Sequence, residues 1–306
     1  MDQHWDAFCT LSLVHFLFFP ECGSGDGPIL ESIARVAQDD FFGAIEIGRI
    51  NDLAVRRQAA QVIDQSHLQA AFGAQPIILG GKLNLNSLEA VERRKAVETL
   101  KPFVAQAAEV GARQFVALSG PDPAPADRPA AAAVLADSLR ELCAHARQFG
   151  VDVWLETFDR AVDKKAFIGP ADEAAALAVA VKRDFPDFGL VYDQAHMVLL
   201  DETPKTALTL LRDHLAHAHV GNAVKVPGRP AYGDLHPRFG YPGGENDVPE
   251  LVEYLQALFQ VGYLRENPGI GTRPWVGFEV KPQPGELPEA VFANLKRAWR
   301  EAWARL

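Results

Sequence analysis

Eight short apolar segments alternate along the chain with eight longer segments of helical period, and this alternation constrains the fold more than any other feature. The apolar segments span residues 12–18, 44–47, 76–79, 114–118, 151–156, 189–193, 215–220 and 275–280. They are rich in Val, Ile, Phe and Trp and are bounded by Gly, Pro and Asp, the pattern of strands buried on both faces of a parallel sheet. The helical segments span 28–38, 53–70, 87–110, 128–148, 171–183, 203–213, 248–259 and 286–303. Gly111 and Gly150 stand just before two of the strands, as residues that end helices do. Strict alternation with right-handed crossovers, at about 38 residues per unit, fits an α/β fold of the (β/α)8 barrel type. The chain has 306 residues and is read as a single domain over 1–306. A doubly wound open sheet is the competing topology, but no GxGxxG follows the first strand and no GxxxxGK[ST] occurs.

Charge and cysteine content narrow the function classes. Thirty basic residues against forty acidic ones give a net charge of −10, the opposite of the footprint for wrapping nucleic acid or an anionic membrane. The expected partner is a small molecule, with no nucleic acid and no membrane. Three cysteines, Cys9, Cys22 and Cys143, form no CxxC pair, which fits a reducing compartment. With no basic leader pattern at the start and no apolar run long enough to cross a bilayer, a cytoplasmic location is expected.

Barrel chemistry is built at the carboxyl ends of strands. Under that rule the fifth strand ends at Glu156, the sixth at Asp193, the seventh near His219 and the eighth near Glu279. Three carboxylates that close repel one another unless a cation neutralises them. An oxygen-and-imidazole set without thiolate suits Mn²⁺, Mg²⁺, Co²⁺ or Zn²⁺. Any one of these residues alone reads as a rim polar group paired with a Lys or Arg. Four at equivalent positions on adjacent strands favour a metal site.

The stretches Leu85-Asn86-Ser87, Trp154-Leu155-Glu156, Val191-Tyr192-Asp193-Gln194-Ala195-His196 and Ala216-His217-Ala218-His219-Val220 carry a family likeness, as do Pro242-Gly243-Gly244 and Phe278-Glu279. With them the chain resembles the sugar phosphate isomerase/epimerase superfamily, the xylose-isomerase-like barrels, over most of its length. The resemblance implies one divalent metal ion, Mn²⁺ first, held by Glu156, Asp193, His219 and Glu279. It makes Glu156 and Glu279 the acid/base pair of a keto-sugar isomerase or epimerase working through a metal-stabilised enediolate. It places His196 against substrate, and it makes a homodimer or homotetramer the expected assembly.

Two positions depart from the epimerase pattern. Val162 stands where a second acidic residue is expected, and Lys225 where an arginine is. The same intermediate that gives epimerisation gives dehydration if a β-hydroxyl leaves. A lyase or dehydratase acting on a keto-inositol, 3-keto sugar or sugar acid is therefore the alternative. An abasic-site endonuclease, which needs a basic face, and a non-catalytic sugar-binding protein or subunit rank below these.

Further substrate contacts are expected from Lys225, Arg229 and His236 in the long segment 221–246, which holds six glycines and four prolines, and from His15 and Lys82. A segment of that length within a compact fold reads either as a lid or as a solvated loop. His15 reads equally as a buried hydrogen-bonded histidine, Lys82 as a solvated lysine, and Glu46 as a pocket residue or the partner of Arg49. His217 lies deeper on the same face as His219 and reads as a supporting or core histidine.

Overall fold

The computed structural model describes residues 3–266 and 273–306. Among these residues, eight parallel strands close into a barrel in sequence order: β1 Thr10–Val14, β2 Ala44–Ile47, β3 Gln69–Gly73, β4 Gln114–Leu118, β5 Asp152–Glu156, β6 Gly189–Asp193, β7 Leu215–Gly221 and β8 Trp275–Glu279. The eight helices that cover it are α1 Ile29–Ala37, α2 Leu53–Gln65, α3 Ala90–Glu109, α4 Arg128–Ala146, α5 Ala171–Lys182, α6 Pro204–Leu211, α7 Val248–Gln260 and α8 Pro288–Ala304. Each outer helix thus follows its strand, as the alternation predicts.

Local signals place several boundaries. Asp52 opens α2 by accepting from the backbone N–H groups of Ala54 and Val55, and Asp247 with Glu250 forms a capping box at α7. Outside the barrel an aromatic layer of Phe41, Phe42, Phe278, Phe292, Trp299 and Trp303 locks α8 against the strands. Inside, Trp154 stacks on His217 at 5.9 Å, with Trp275 edge-on at 5.8 Å.

The third strand is a correction. It runs over Gln69–Gly73, and the segment expected to form it, 76–79, lies in a helical turn, Gln75–Gly80. The Pro-Ile-Ile-Leu run reads as a strand by propensity, but a proline early in a helix fits its fixed φ. The true strand is rich in alanine and follows α2 through His67, which takes φ 56° without a glycine to mark the turn. The first strand also stops earlier than expected. His15–Phe18 winds into a single helical turn directly after β1, so His15 leaves the strand. No helix among the described residues is long and apolar enough to cross a membrane.

Candidate metal centre

Parallel register lines up the strand ends that matter. Asp193 pairs with His219, and Gly221 with Glu279, while Glu156 closes the adjacent β5. Gly221 has to be glycine, because a Cβ there would run into the backbone carbonyl of Glu279. Glu156, Asp193, His219 and Glu279 each offer one donor atom, and these atoms all lie within 4.8 Å of one another. All four residues are buried.

The second atom of three of these groups is already occupied. Gln75 Nε2 donates to Glu156 Oε2 at 2.6 Å. The backbone N–H of Ala195 donates to Asp193 Oδ1 at 2.5 Å, making Asp193 the N-cap of the turn Gln194–Leu199. His219 Nε2 donates to Glu46 Oε2 at 3.0 Å. What remains faces inward: His219 Nδ1 lies 3.2 Å from Glu156 Oε1 and 2.9 Å from Glu279 Oε2. One ring nitrogen cannot serve both oxygens. Glu279 Oε2 and Asp193 Oδ2 are buried without a hydrogen-bond partner. Buried oxygens orphaned beside an imidazole, with the second atoms of Glu156, Asp193 and His219 held from behind, are the donor set of a hard divalent cation. The residues present therefore fit the metal that the resemblance implies.

Without a cation the electrostatics are strained. Burial, reinforced by the charge of Glu279, pushes Asp193 up to about 7. Burial alone would lower His219, but the charges of Glu46 and Glu279 lift it well above the ordinary histidine range. A proton then does part of what a cation would do.

The long loop folds into the mouth of the barrel. His236 reaches 3.8 Å from both Asp193 Oδ2 and Glu279 Oε1. Behind it stands Asp234, whose Oδ1 is 2.7 Å from His236 Nε2 and 3.0 Å from His196 Nε2. Its Oδ2 is 3.1 Å from Lys164 Nζ. His196 is oriented by donating Nδ1–H to the Thr157 carbonyl at 2.7 Å. Burial opposes the charge on Asp234, but His196 and His236 hold its carboxyl well below the usual range. Asp193, His196, His236 and Glu279 also form a second set able to hold a cation, sharing two ligands with the first. The two ends of the loop are tied by Asn222 and Asn246, the latter donating to the Gly221 carbonyl at 2.8 Å.

The structure thus brings together six of the residues expected at the site: Glu156, Asp193, His196, His219, His236 and Glu279. The other four lie elsewhere. His15 is buried against α1, with Nε2 at 2.8 Å from Ser32 Oγ, the hydrogen-bonded alternative, and burial lowers it to about 4. Lys225 pairs with Asp201, while Arg229 and Lys82 are exposed. Glu46 does not meet Arg49; it lies inside the barrel against His217 and His219. Asp234, Gln75 and Lys164 were not expected. For Asp234 a signal existed in the Asp-x-His spacing to His236, which puts two polar side chains within one short stretch of loop.

A profile of the xylose isomerase-like TIM barrel family matches residues 38–302, and the chain belongs to that family. No curated protein sequence matches it. Among solved structures, an IolI protein with a bound zinc atom superposes with a TM-score of 0.73 at 15% identity, covering 97% of this chain and 98% of that one. D-Psicose 3-epimerase with D-tagatose from Clostridium cellulolyticum H10 gives 0.65 at 18% identity, covering 96% of each chain. The 3-keto-D-glucoside 4-epimerase from E. coli gives 0.67 at 18% identity, covering 95% of this chain and 99% of that one. At these identities the likeness establishes the shared fold.

Proposed function

We propose that the protein is a divalent-metal-dependent isomerase or epimerase of a keto sugar or sugar derivative. The observation that carries this reading is the convergence of Glu156, Asp193, His219 and Glu279, whose free donor atoms face one point. Zinc in the IolI structure and the sugar epimerases among the structural neighbours support it. When bound, a divalent cation supplies Lewis-acid stabilisation of the negative charge that develops on adjacent substrate oxygens.

This chain's residues do the rest. Glu156 and Glu279 come from strands separated by β6 and β7 and flank the site from two sides. One carboxylate removes the proton from the carbon between the carbonyl and a neighbouring hydroxyl. The other returns a proton to the opposite face, which inverts that carbon with no change in composition. Gln75 holds Oε2 of Glu156 and so fixes the orientation of the carboxylate, with Oε1 toward the centre. His196, its Nδ1 held by Thr157, offers Nε2 to a substrate hydroxyl once Asp234 withdraws from it.

The loop 221–246 acts as a lid. With all four donors buried, substrate enters only when His236 and Asp234 withdraw, and their return excludes water. A dehydratase reading draws on one specific observation. Val162 packs with Ala195, Leu199 and Ala223, and Lys225 is engaged by Asp201, so the two positions that differ from the epimerase pattern do not grip a substrate from the site.

The test is solvent-deuterium incorporation into a panel of keto sugars by the Mn²⁺-, Co²⁺-, Mg²⁺- or Zn²⁺-loaded protein. Incorporation with conserved composition is expected, lost by about 10²–10⁴-fold in Glu156→Gln and Glu279→Gln. Full activity in both variants would overturn the assignment, and loss of water from the product would shift it to the dehydratase.

A further inference from the structure

Behind the proposed centre lies a buried carboxylate to which that reading gives no task. Glu46, in β2, is 2% exposed, and each of its contacts is supplied by a donor. Ser12 Oγ donates to its Oε1 at 2.6 Å, His217 Nε2 to Oε1 at 3.0 Å and His219 Nε2 to Oε2 at 3.0 Å. The barrel is built around it. Gly277 of β8 has no side chain where a Cβ would collide with Glu46 Oε1, His219 and Ser12. His217 is held between Trp154 and Trp275, so its N–H stays aimed at the carboxylate. An apolar side chain would fill this volume without the cost of burying a charge.

The contacts have a chemical consequence at His219. A neutral imidazole carries one N–H, and its position is set by the partner of each nitrogen. With a cation in place the imidazole would be neutral; Glu46 Oε2, which only accepts, would keep its single N–H on Nε2, and the Nδ1 lone pair would face the donor atoms of Glu156, Asp193 and Glu279. We propose that Glu46 is the positioning residue that commits His219 to ligation through Nδ1, with His217 as the brace that keeps Glu46 aimed. The inference rests on reading Glu156, Asp193, His219 and Glu279 as a metal centre. A glutamine at 46 offers one acceptor and one donor where two imidazole N–H groups point. The amide oxygen belongs on the side where Ser12 and His217 both donate, which turns the NH2 toward His219 and forces its proton onto Nδ1, the ligand atom.

The test compares wild type, Glu46→Gln and Ser12→Ala. Ser12→Ala removes a contact of the same carboxylate without touching its bond to His219. Calorimetric titration with Mn²⁺ is expected to show about 10–100-fold weaker binding in Glu46→Gln and a change within about twofold in Ser12→Ala. Nitrogen-15 histidine spectra of the Zn²⁺-loaded wild type should show His219 bound through Nδ1 and protonated at Nε2. A merely structural glutamate would not set that signature, and the wild-type spectrum decides the matter even if Glu46→Gln does not fold. Binding by Glu46→Gln within twofold of wild type overturns the inference alone, as does ligation of His219 through Nε2. So does a second equivalent of Zn²⁺ lost with Glu46, which would make Glu46, His217 and His219 a cation site of their own. Failure of the wild type to take up any metal overturns the metal centre together with this inference.

Discussion

Replacing Asp234 with asparagine takes away an anion shared by His196, His236 and Lys164, and it should open the loop without unfolding the barrel. The carboxylate is almost wholly buried, with contacts of 3.0, 2.7 and 3.1 Å to the three cationic groups. Removing one partner of a buried charge cluster costs about 3–5 kcal/mol. The two histidines can relieve part of this by losing protons, and Lys164 is partly exposed, so the lower end, about 3 kcal/mol, applies. The cost falls on the closed form of the loop, whose ends remain tied through Asn222 and Asn246. At about 1.4 kcal/mol per power of ten, the open population rises roughly 100-fold. Hydrogen exchange reads this directly. The amides of Gly233, bonded to the Val224 carbonyl, and Lys281, bonded to the His236 carbonyl, should exchange about 100-fold faster. Those of β6 should not change. Unaltered loop exchange refutes the latch, and equal acceleration of loop and barrel amides shows that Asp234 supports the whole fold instead.

Metal uptake should strengthen as pH rises through about 7 and release protons, because Asp193 is raised to about 7 and His219 well above its ordinary range before a cation enters. The sign follows for stability as well. A carboxylate with a raised folded pKa stabilises the metal-free fold below its unfolded value and loses that contribution as pH climbs from about 4 to about 7, so metal-free melting temperature should fall over that range and level off above it. Calorimetry in buffers of different ionisation enthalpy and thermal melts check both, and affinity that falls with rising pH contradicts them. Gly277→Ala should weaken Mn²⁺ binding by driving a methyl group into Glu46 and His219, measurable by the same titration. Phe278→Ala should cost about 3–5 kcal/mol in chemical denaturation, since the ring is fully buried against Phe41, Phe42 and Trp299.

The barrel and four of its site residues are legible in the sequence because both follow from periodicity. Parallel strands buried on both faces read as apolar runs, and a charged residue at the end of such a run lies at the functional rim. The third strand escapes this logic. Gln69–Gly73 has little hydrophobic signal, and His67 turns the chain where a glycine would have announced the turn. The loop is conspicuous by its length and its glycines, yet its fold depends on contacts formed only when β5, β6 and β8 are already assembled. Lys225 and Arg229 therefore attract attention as free charges, whereas Asp234 does the holding. Glu46 shows why parity matters: flanked by Ile45 and Ile47, it alternates inward, and sequence distance to Arg49 is a poor guide beside it.

Metal content of the purified protein, before and after loading with Mn²⁺, tests the account most directly. Wild type is predicted to hold one equivalent at the centre formed by Glu156, Asp193, His219 and Glu279, and Asp193→Ala, which removes a buried oxygen without a hydrogen-bond partner, is predicted to hold none. No metal in the loaded wild type, or the same content in Asp193→Ala, would contradict it.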